Sequence, residues 1–392
     1  MMDIPQGYKQ TELGIIPEDW EVKPIGDLGR IVGGGTPSTS ISQYWNGGIA
    51  WYTPAEIGDS KYLSYSLKTI SKLGLHASSA CLLPPGTILL TTRASIGLSA
   101  ILQKAGTTNQ GFQSVIVYDS YDNEFVYYLL QQYIDVMYSL ASGSTFLEIS
   151  KKKLSLINVA CPVNCSEQQA IAEALSDIDG LIAALDKKIA KKRLIKQGAM
   201  SQLLTGKKRL PGFSAPWVEK KLGEILDYEQ PQPYLVVSTD YVDSGFPVLT
   251  AGKSLILGYT TEQFGIYNKL PVIIFDDFTT DSKYISYPFK VKSSAMKMLT
   301  LKNNDYDLRL VYELMQQIDF PLKDHQRYWI SEYSQLTISL PKDREEQTAI
   351  AEILTDMDKE IDDLEAQRDK YHLLKSGMMQ KLLTGQIRLK IK

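Results

Sequence analysis

Cysteine is scarce: the chain of 392 residues has three, Cys81, Cys161 and Cys165. So few thiols, and an odd number, do not make a disulfide framework and fit a reducing compartment. Long apolar runs are missing too. The most apolar stretches, such as "GTILL" at 86–90, are strand-sized and fall far short of the roughly 18–20 residues of a membrane span. The opening "MMDIPQGYKQTELG" has no basic segment followed by an apolar one, so no secretory signal is expected. These absences together predict a soluble, cytoplasmic protein with no membrane partner. A basic excess is also lacking, since 42 Lys and Arg face 45 Asp and Glu for a net charge of −3. Phosphate neutralisation supplies most of the affinity of a DNA-binding protein, so this balance counts against one that acts alone. The average hides an uneven distribution: residues 1–150 carry −5, 151–210 carry +7, 211–345 carry −4 and 346–392 carry −1.

What is present is a repeat. "LLTGKKRL" at 203–210 returns as "LLTGQIRL" at 382–389, and the likeness extends upstream. Residues 167–210 laid on 346–389 without a gap share 22 identities in 44 positions. Within each copy apolar residues alternate in steps of four and three: Ile171, Leu175, Ile178, Ile182, Leu185 and Ile189, then Ile350, Leu354, Met357, Ile361 and Leu364. That narrow stripe is the seam of a coiled-coil helix. Ser166 with Gln169, and Asp343 with Glu346, have capping-box spacing after Pro162 and Pro341. Gly206 and Gly385 follow as C-terminal stop signals. Each helix should run roughly 35–40 residues, or about 50–60 Å. Gly198 and Gly377 sit at the same place inside the two copies, which suggests a close backbone approach or a bend. Two matched seams in one chain favour intramolecular antiparallel pairing, with ordinary packing or a homodimer zipper as the alternative.

Each helix is preceded by a globular segment rich in Tyr, Thr, Gly and β-branched residues. "WEVKPIGDLGRIV" from Trp20 and "WVEKKLGEILDYE" from Trp217 open the two segments in parallel. "GTILLTTRASIG" (86–97) has a counterpart in "PVIIFDDFTTDS" (271–282), and "TTNQGFQSVIV" (107–117) in "VKSSAMKMLTL" (291–301). The expected class is α+β: mixed globules at 1–155 and 211–341 alternate with long helices at 156–210 and 342–392. Trp20, Trp51 and Trp217 are expected in the cores.

"TELGIIPEDWEV", "GGGTPSTSISQYWNGGIAWYTPAEIG", "ILLTTRASIGLSAI", "TNQGF", "GSTFLEIS" and the paired helices, in this order, resemble the specificity subunit of a type I restriction–modification system. The resemblance covers essentially the whole chain. It implies two target-recognition domains, each reading one half-site of an interrupted double-stranded DNA sequence. It also implies paired helices that space the half-sites and dock two methyltransferase subunits, with restriction (translocase–nuclease) subunits joining the complex. The second globule, with "YLVVSTDYVDSGFPVLTAGKSLILGYT", resembles a different lineage of recognition domain from the first, so an asymmetric target is expected. Partner subunits would then supply the phosphate contacts that this near-neutral chain lacks.

Base edges are read by Arg, Lys, Asn, Gln and acids, with Thr or aromatics near methyl groups. The candidates in the first globule are Thr36, Ser38, Thr39 and Tyr44 on a polar loop, and Thr92, Arg93 and Ser95 beyond a strand. Asn109 and Gln110 in a turn and Ser144, Thr145 and Phe146 on another loop complete the set. In the second globule they are Asp277, Thr279, Lys283, Lys292, Ser293, Ser294, Lys297, His325, Gln326 and Arg327. The blander reading of each is a solvated loop residue or a local turn hydrogen bond.

Catalytic readings find little support. "VGGGTPST" lacks the Gly-Lys-Ser/Thr ending of a phosphate loop. Glu21-Val22-Lys23 has the acid-x-Lys form of some nucleases but no evident companion acid, and the adjacent Asp276 and Asp277 would alternate faces on a strand. Cys161 and Cys165 have no second ligand pair at zinc spacing. No catalytic residue, cofactor or metal is therefore expected, and the chain reads as a targeting subunit. The alternative from another class is a coiled-coil scaffold whose globules bind proteins or glycans.

Overall fold

A computed structural model describes residues 4–58, 60–143, 146–250, 254–322 and 327–389. The chain divides into two compact units, Met1–Asp186 with Gln367–Lys392, and Lys187–Ala366. Each unit therefore holds one globule, the first part of the long helix that follows it and the last part of the other long helix.

In the first unit Trp20–Pro24 pairs antiparallel with Asn158–Pro162, so the strand that opens the globule lies beside the one that closes it. A short helix, Ile25–Leu28, leads into a five-stranded sheet ordered Gly29–Gly33, Gln113–Val117, Ile88–Leu90, Ser99–Leu102, Tyr62–Leu63. A three-stranded sheet is ordered Gly106–Thr108, Trp45–Tyr52, Lys68–Ile70, its first pair parallel and its second antiparallel. All three residues of Ile88–Leu90 are buried, as expected of a strand covered on both faces. Asp122 caps the helix Asn123–Gln132 by accepting from the Phe125 amide at 2.8 Å, and that helix drives Phe125, Val126 and Leu129 into the core beside Trp20 and Leu28.

The second unit repeats this plan. Trp217–Lys221 pairs with Thr337–Pro341, and a short helix, Leu222–Ile225, leads into a sheet ordered Leu226–Glu229, Met296–Leu301, Val272–Asp276, Ser282–Ile285. Its smaller sheet is ordered Ile256–Thr260, Phe246–Leu249, Lys290–Val291, again with one antiparallel and one parallel pair. Asp307 caps Leu308–Met315 as Asp122 caps its counterpart. The strand correspondences expected from 86–97 with 271–282, and from 107–117 with 291–301, hold in both sheets. Trp20 and Trp51 are in the core of their unit, and Trp217 is partly buried against the core of the other.

The long helices span Cys165–Leu203 and Arg344–Leu382, 39 residues each. Every seam residue is buried except Leu185 and Met357, which are partly so. Three expectations need correction. The first helix is capped by Asn164, whose Oδ1 accepts from the Ser166 amide at 2.9 Å, rather than by Ser166. Asp343 does cap the second, accepting from the Glu345 amide at 2.9 Å. Gly198 and Gly377 make no close approach: a Cβ on either would meet nothing within 4 Å, and both helices run through them unbroken.

Glu346 is not a capping-box partner for Asp343; it and Glu167, at the corresponding place near the start of the other helix, serve another contact. Both are buried, and each receives the arginine that follows the other helix's "LLTG". In the first unit Arg388 reaches Glu167 at 2.7 Å and Asp19 at 2.9 Å. In the second Arg209 makes two bonds of 2.6 Å to Glu346. The next residue is also buried in each copy. Gln168 donates to the Pro162 carbonyl and accepts from the Asp122 amide, while Gln347 does the same with Pro341 and Asp307. Leu382 and Leu383 join the core of the first globule, and Leu203 and Leu204 that of the second. The left-handed glycines then face the opening tryptophans, Gly385 against Trp20 and Gly206 against Trp217. "LLTG" occurs twice because each globule is closed by the tail of the other copy's helix.

Ion pairs continue between the two long helices within each unit. Asp179 meets Lys375 at 2.7 Å and Asp186 meets Arg368 at 3.7 Å in the first. In the second Lys192 meets Glu360 at 2.6 Å, and Lys196 meets Asp358. As numbers rise along one helix the partners' numbers fall along the other. No described helix is long and apolar enough to cross a membrane.

Candidate nucleic-acid interface

The hairpin of Ile88–Leu90 and Ser99–Leu102 carries the loop 91–98, and two other loops are tied to it by backbone bonds. The Thr92 amide donates to the Gly111 carbonyl at 2.9 Å, and the Ile149 amide donates to the Thr92 carbonyl at 3.0 Å. The glycine-rich segment is drawn in as well. The Gly35 amide donates to the Thr108 carbonyl at 2.9 Å, and a Cβ on Gly34 would fall 1.9 Å from the Asn109 carbonyl oxygen. Glycine is required there for backbone proximity. Loops far apart in sequence thus meet at one end of the first globule.

Thr36, Ser38, Thr39, Ser95 and Gln110 are exposed there, with Tyr44, Arg93 and Asn109 partly exposed. The Thr36 hydroxyl donates to Gln110, Asn109 accepts from the Gly111 amide at 2.8 Å, and Ser38 and Ser40 hydroxyls lie 2.8 Å apart. Arg93 stands with its guanidinium carbon 5.7 Å from the centre of the Phe146 ring, which is 55% exposed, and its Nε 3.8 Å from Glu148. Ser144 and Thr145 lie outside the described residues.

The corresponding end of the second globule is built alike. The Asp277 amide donates to the Ala295 carbonyl, and the Tyr328 amide to the Asp277 carbonyl, each at 3.0 Å. Asp277 therefore holds the backbone position of Thr92. Thr279, Lys283, Lys292, Ser294 and Arg327 are exposed and Ser293 partly so; His325 and Gln326 lie outside the described residues. Arg327 places its guanidinium carbon 5.9 Å from the centre of the Phe278 ring.

Three expected contact residues have no access to a ligand. The Lys297 ammonium and an Asp277 carboxylate oxygen form a 3.0 Å ion pair with both side chains almost fully buried. The other Asp277 oxygen accepts from the Trp329 amide at 2.8 Å. Thr92 is also fully buried, so all three side chains serve the fold, because burying an unpaired charge or hydroxyl is costly. Asp276 turns its carboxylate to the Phe278 and Thr279 amides, at 2.7 and 3.1 Å, fixing the loop. Glu21 and Lys23 pair with each other at 2.7 Å. Burial pushes the Cys161 thiol up to about 11, consistent with a structural residue.

Residues that fix each globule on the helices escaped the reading of the sequence. Lys61 donates to Glu124 at 2.8 Å, Ser176 at 2.7 Å and Tyr128 at 3.1 Å. Burial acts to raise the Glu124 carboxyl, but bonds from Lys61, Tyr62 and Ser176 hold it below the usual range. Arg309 plays the matching part in the second unit, reaching Glu313 at 2.7 Å and Asp358 at 2.6 Å. The helix–tail pairs had a visible signal, since Glu167, Gln168 and Arg209 all recur within the repeat. Lys61 and Arg309 had none.

Two sheet-bearing globules of one plan, each with a polar loop end and each closed by the other copy's helix tail, define a tandem-domain protein. A family profile described as the type I restriction modification DNA specificity domain matches residues 17–192 and 215–371. The chain belongs to that family and carries its domain twice. It is 40% identical over 179 residues to the MjaIX specificity subunit of Methanocaldococcus jannaschii, a match covering 45% of this chain and 41% of that one. It is 50% identical over 148 residues to the EcoR124I/EcoR124II specificity subunit of Escherichia coli, covering 36% of each. These matches thus span about two-fifths of the relatives' length. The crystal structure of a type I restriction–modification S subunit from M. genitalium has the same fold, with a TM-score of 0.66 at 17% identity over 97% of this chain and 98% of that one.

Proposed function

We propose that the protein is the non-catalytic, sequence-reading subunit of a type I restriction–modification complex. Each recognition domain binds one half-site of an asymmetric, interrupted duplex target through its loop end. The two long helices pair as an antiparallel coiled coil that sets the gap, and they dock two methyltransferase subunits; restriction subunits join that complex. The observation that carries this reading is the reciprocal closure of two equivalent units, Arg388 on Glu167 and Arg209 on Glu346. Equivalent helix fittings serve two globules whose loop ends differ, as expected when one kind of partner is met twice and two different sequences are read. The net charge of −3 supports partners that supply phosphate contacts.

The test is co-expression with the methyltransferase subunit in a host free of adenine methylation, followed by genome-wide mapping of N6-methyladenine. A two-part motif with a fixed unspecified gap is the expected result. Methylation of a continuous motif would mean that one globule alone reads DNA. No new methylation, with the partner shown to be active beside another specificity subunit, would turn the interpretation to a scaffold.

A further inference from the structure

The loop ends of the two units share one kind of contact, an arginine over a phenylalanine ring. The arginine is on the hairpin in one unit and on the facing loop in the other, and Phe146 stands two residues before the counterpart of Arg327. Arg93 follows Thr92 and Phe278 follows Asp277, so the two stand at the same point of equivalent hairpin loops. Across from them, Glu148 precedes Ile149 and Arg327 precedes Tyr328, again at equivalent points. In the first unit the hairpin supplies the guanidinium and the facing loop supplies the ring of Phe146. In the second the hairpin supplies the ring of Phe278 and the facing loop supplies the guanidinium of Arg327. The loops have diverged around these residues, yet a guanidinium stands over a phenyl ring in both. Each hairpin loop also holds one non-glycine residue in the left-handed region, Ala94 at φ 64° and Thr280 at φ 59°. Backbone of this kind persists where surrounding structure imposes it, and it gathers at functional sites.

We infer that the Arg–Phe pair is the base-reading element of each recognition domain, with Arg93 and Arg327 each donating two hydrogen bonds to a guanine of its half-site. The inference rests on the proposed DNA-reading function and goes beyond it to the group that reads and the base that is read. A guanidinium is a planar fork that matches guanine O6 and N7 in the major groove, whereas a phosphate contact asks only for positive charge. A phenyl ring beneath the fork limits its rotamers and lowers the ordering cost of binding. Phe146 and Phe278 are themselves 55% and 44% exposed, so each pair stands at the surface. Glu148, at 3.8 Å from Arg93 Nε and half in solvent, is a weak competitor for that fork.

The experiment maps methylation by the complex of chain and methyltransferase for wild type, Arg93→Lys, Arg93→Ala, Arg327→Lys and Arg327→Ala. All four substitutions change exposed or half-exposed side chains. Each should relax one G·C position in one half-site, the two arginines affecting different halves. Discrimination at that position should drop roughly 5- to 150-fold, the equivalent of a lost bidentate pair. Lysine keeps the charge without the fork and should fail like alanine. An unchanged motif with a uniform drop in methylation would make these phosphate contacts and overturn the inference, as would no change at all. A wild-type complex without a two-part motif would sink the underlying reading and this one with it, whereas a two-part motif indifferent to all four variants sinks this one alone.

Discussion

Replacing Arg388 by alanine tests the reciprocal closure most directly. The guanidinium bonds Glu167, which is almost fully buried, and Asp19, whose side chain is 62% exposed. An exposed pair contributes at most about 1 kcal/mol, so Asp19 accounts for little. A buried carboxylate stripped of its partner costs about 3–5 kcal/mol. Arg388 is about one-third exposed, which lets water reach the vacated space and favours the lower end. The expected loss is therefore about 3 kcal/mol, against less than about 1 kcal/mol for Asp19→Ala. Urea denaturation of the chain followed by tryptophan fluorescence is suited to this, because the tail's Gly385 abuts Trp20. The double variant Arg388→Met/Glu167→Met should recover most of the loss, since it leaves no buried charge behind. Should Arg388→Ala cost no more than Asp19→Ala, Glu167 does not depend on the tail and the account of the repeat fails.

The two capping glycines should respond unequally. Alanine at Gly385 would place Cβ 2.5 Å from the Pro17 ring in addition to a φ of 70°, whereas at Gly206, with φ 67°, the nearest atoms belong to Trp217 at 3.4 Å. Thermal unfolding should show Gly385→Ala as the more damaging, with Gly206→Ala costing about 1–2 kcal/mol from the backbone alone. Gly198→Ala and Gly377→Ala should each stabilise the isolated chain by up to about 1 kcal/mol, and a loss by the same measurement would reveal unseen packing. A carboxyl held low in the folded state contributes stability above its unfolded value and loses it as pH falls through the folded one. Stability should therefore decline below the ordinary glutamate range in part through Glu124, and Glu124→Gln should flatten that acid limb in urea titrations between about pH 6 and 3.

Much of the architecture was legible because it is written in local patterns. The seam of Ile171 to Ile189 and its copy from Ile350 to Leu364 follow from helical periodicity. The stop at Gly206 and Gly385 follows from the freedom of glycine to take positive φ, and both glycines do. The strand correspondences were visible as apolar runs of similar length and order. What failed was local as well. Ser166 lost the cap to Asn164, two residues earlier than the pattern suggested, and Gly198 and Gly377 signalled a contact that is absent.

The sequence by itself determined that the chain carries a duplicated helix with an apolar seam and that each copy stops at a glycine. Repeat spacing and periodicity are one-dimensional properties. Only the tertiary structure decided that the tail of each helix closes the other globule, since Arg388 and Glu167 lie 221 positions apart and nothing in their spacing links them. It also decided which candidate residues face solvent. Lys297 and Arg327 are both cations among the candidates, but one is buried on Asp277 and the other is displayed over Phe278. Burial and pairing depend on what the rest of the chain brings alongside, and no local pattern carries that information.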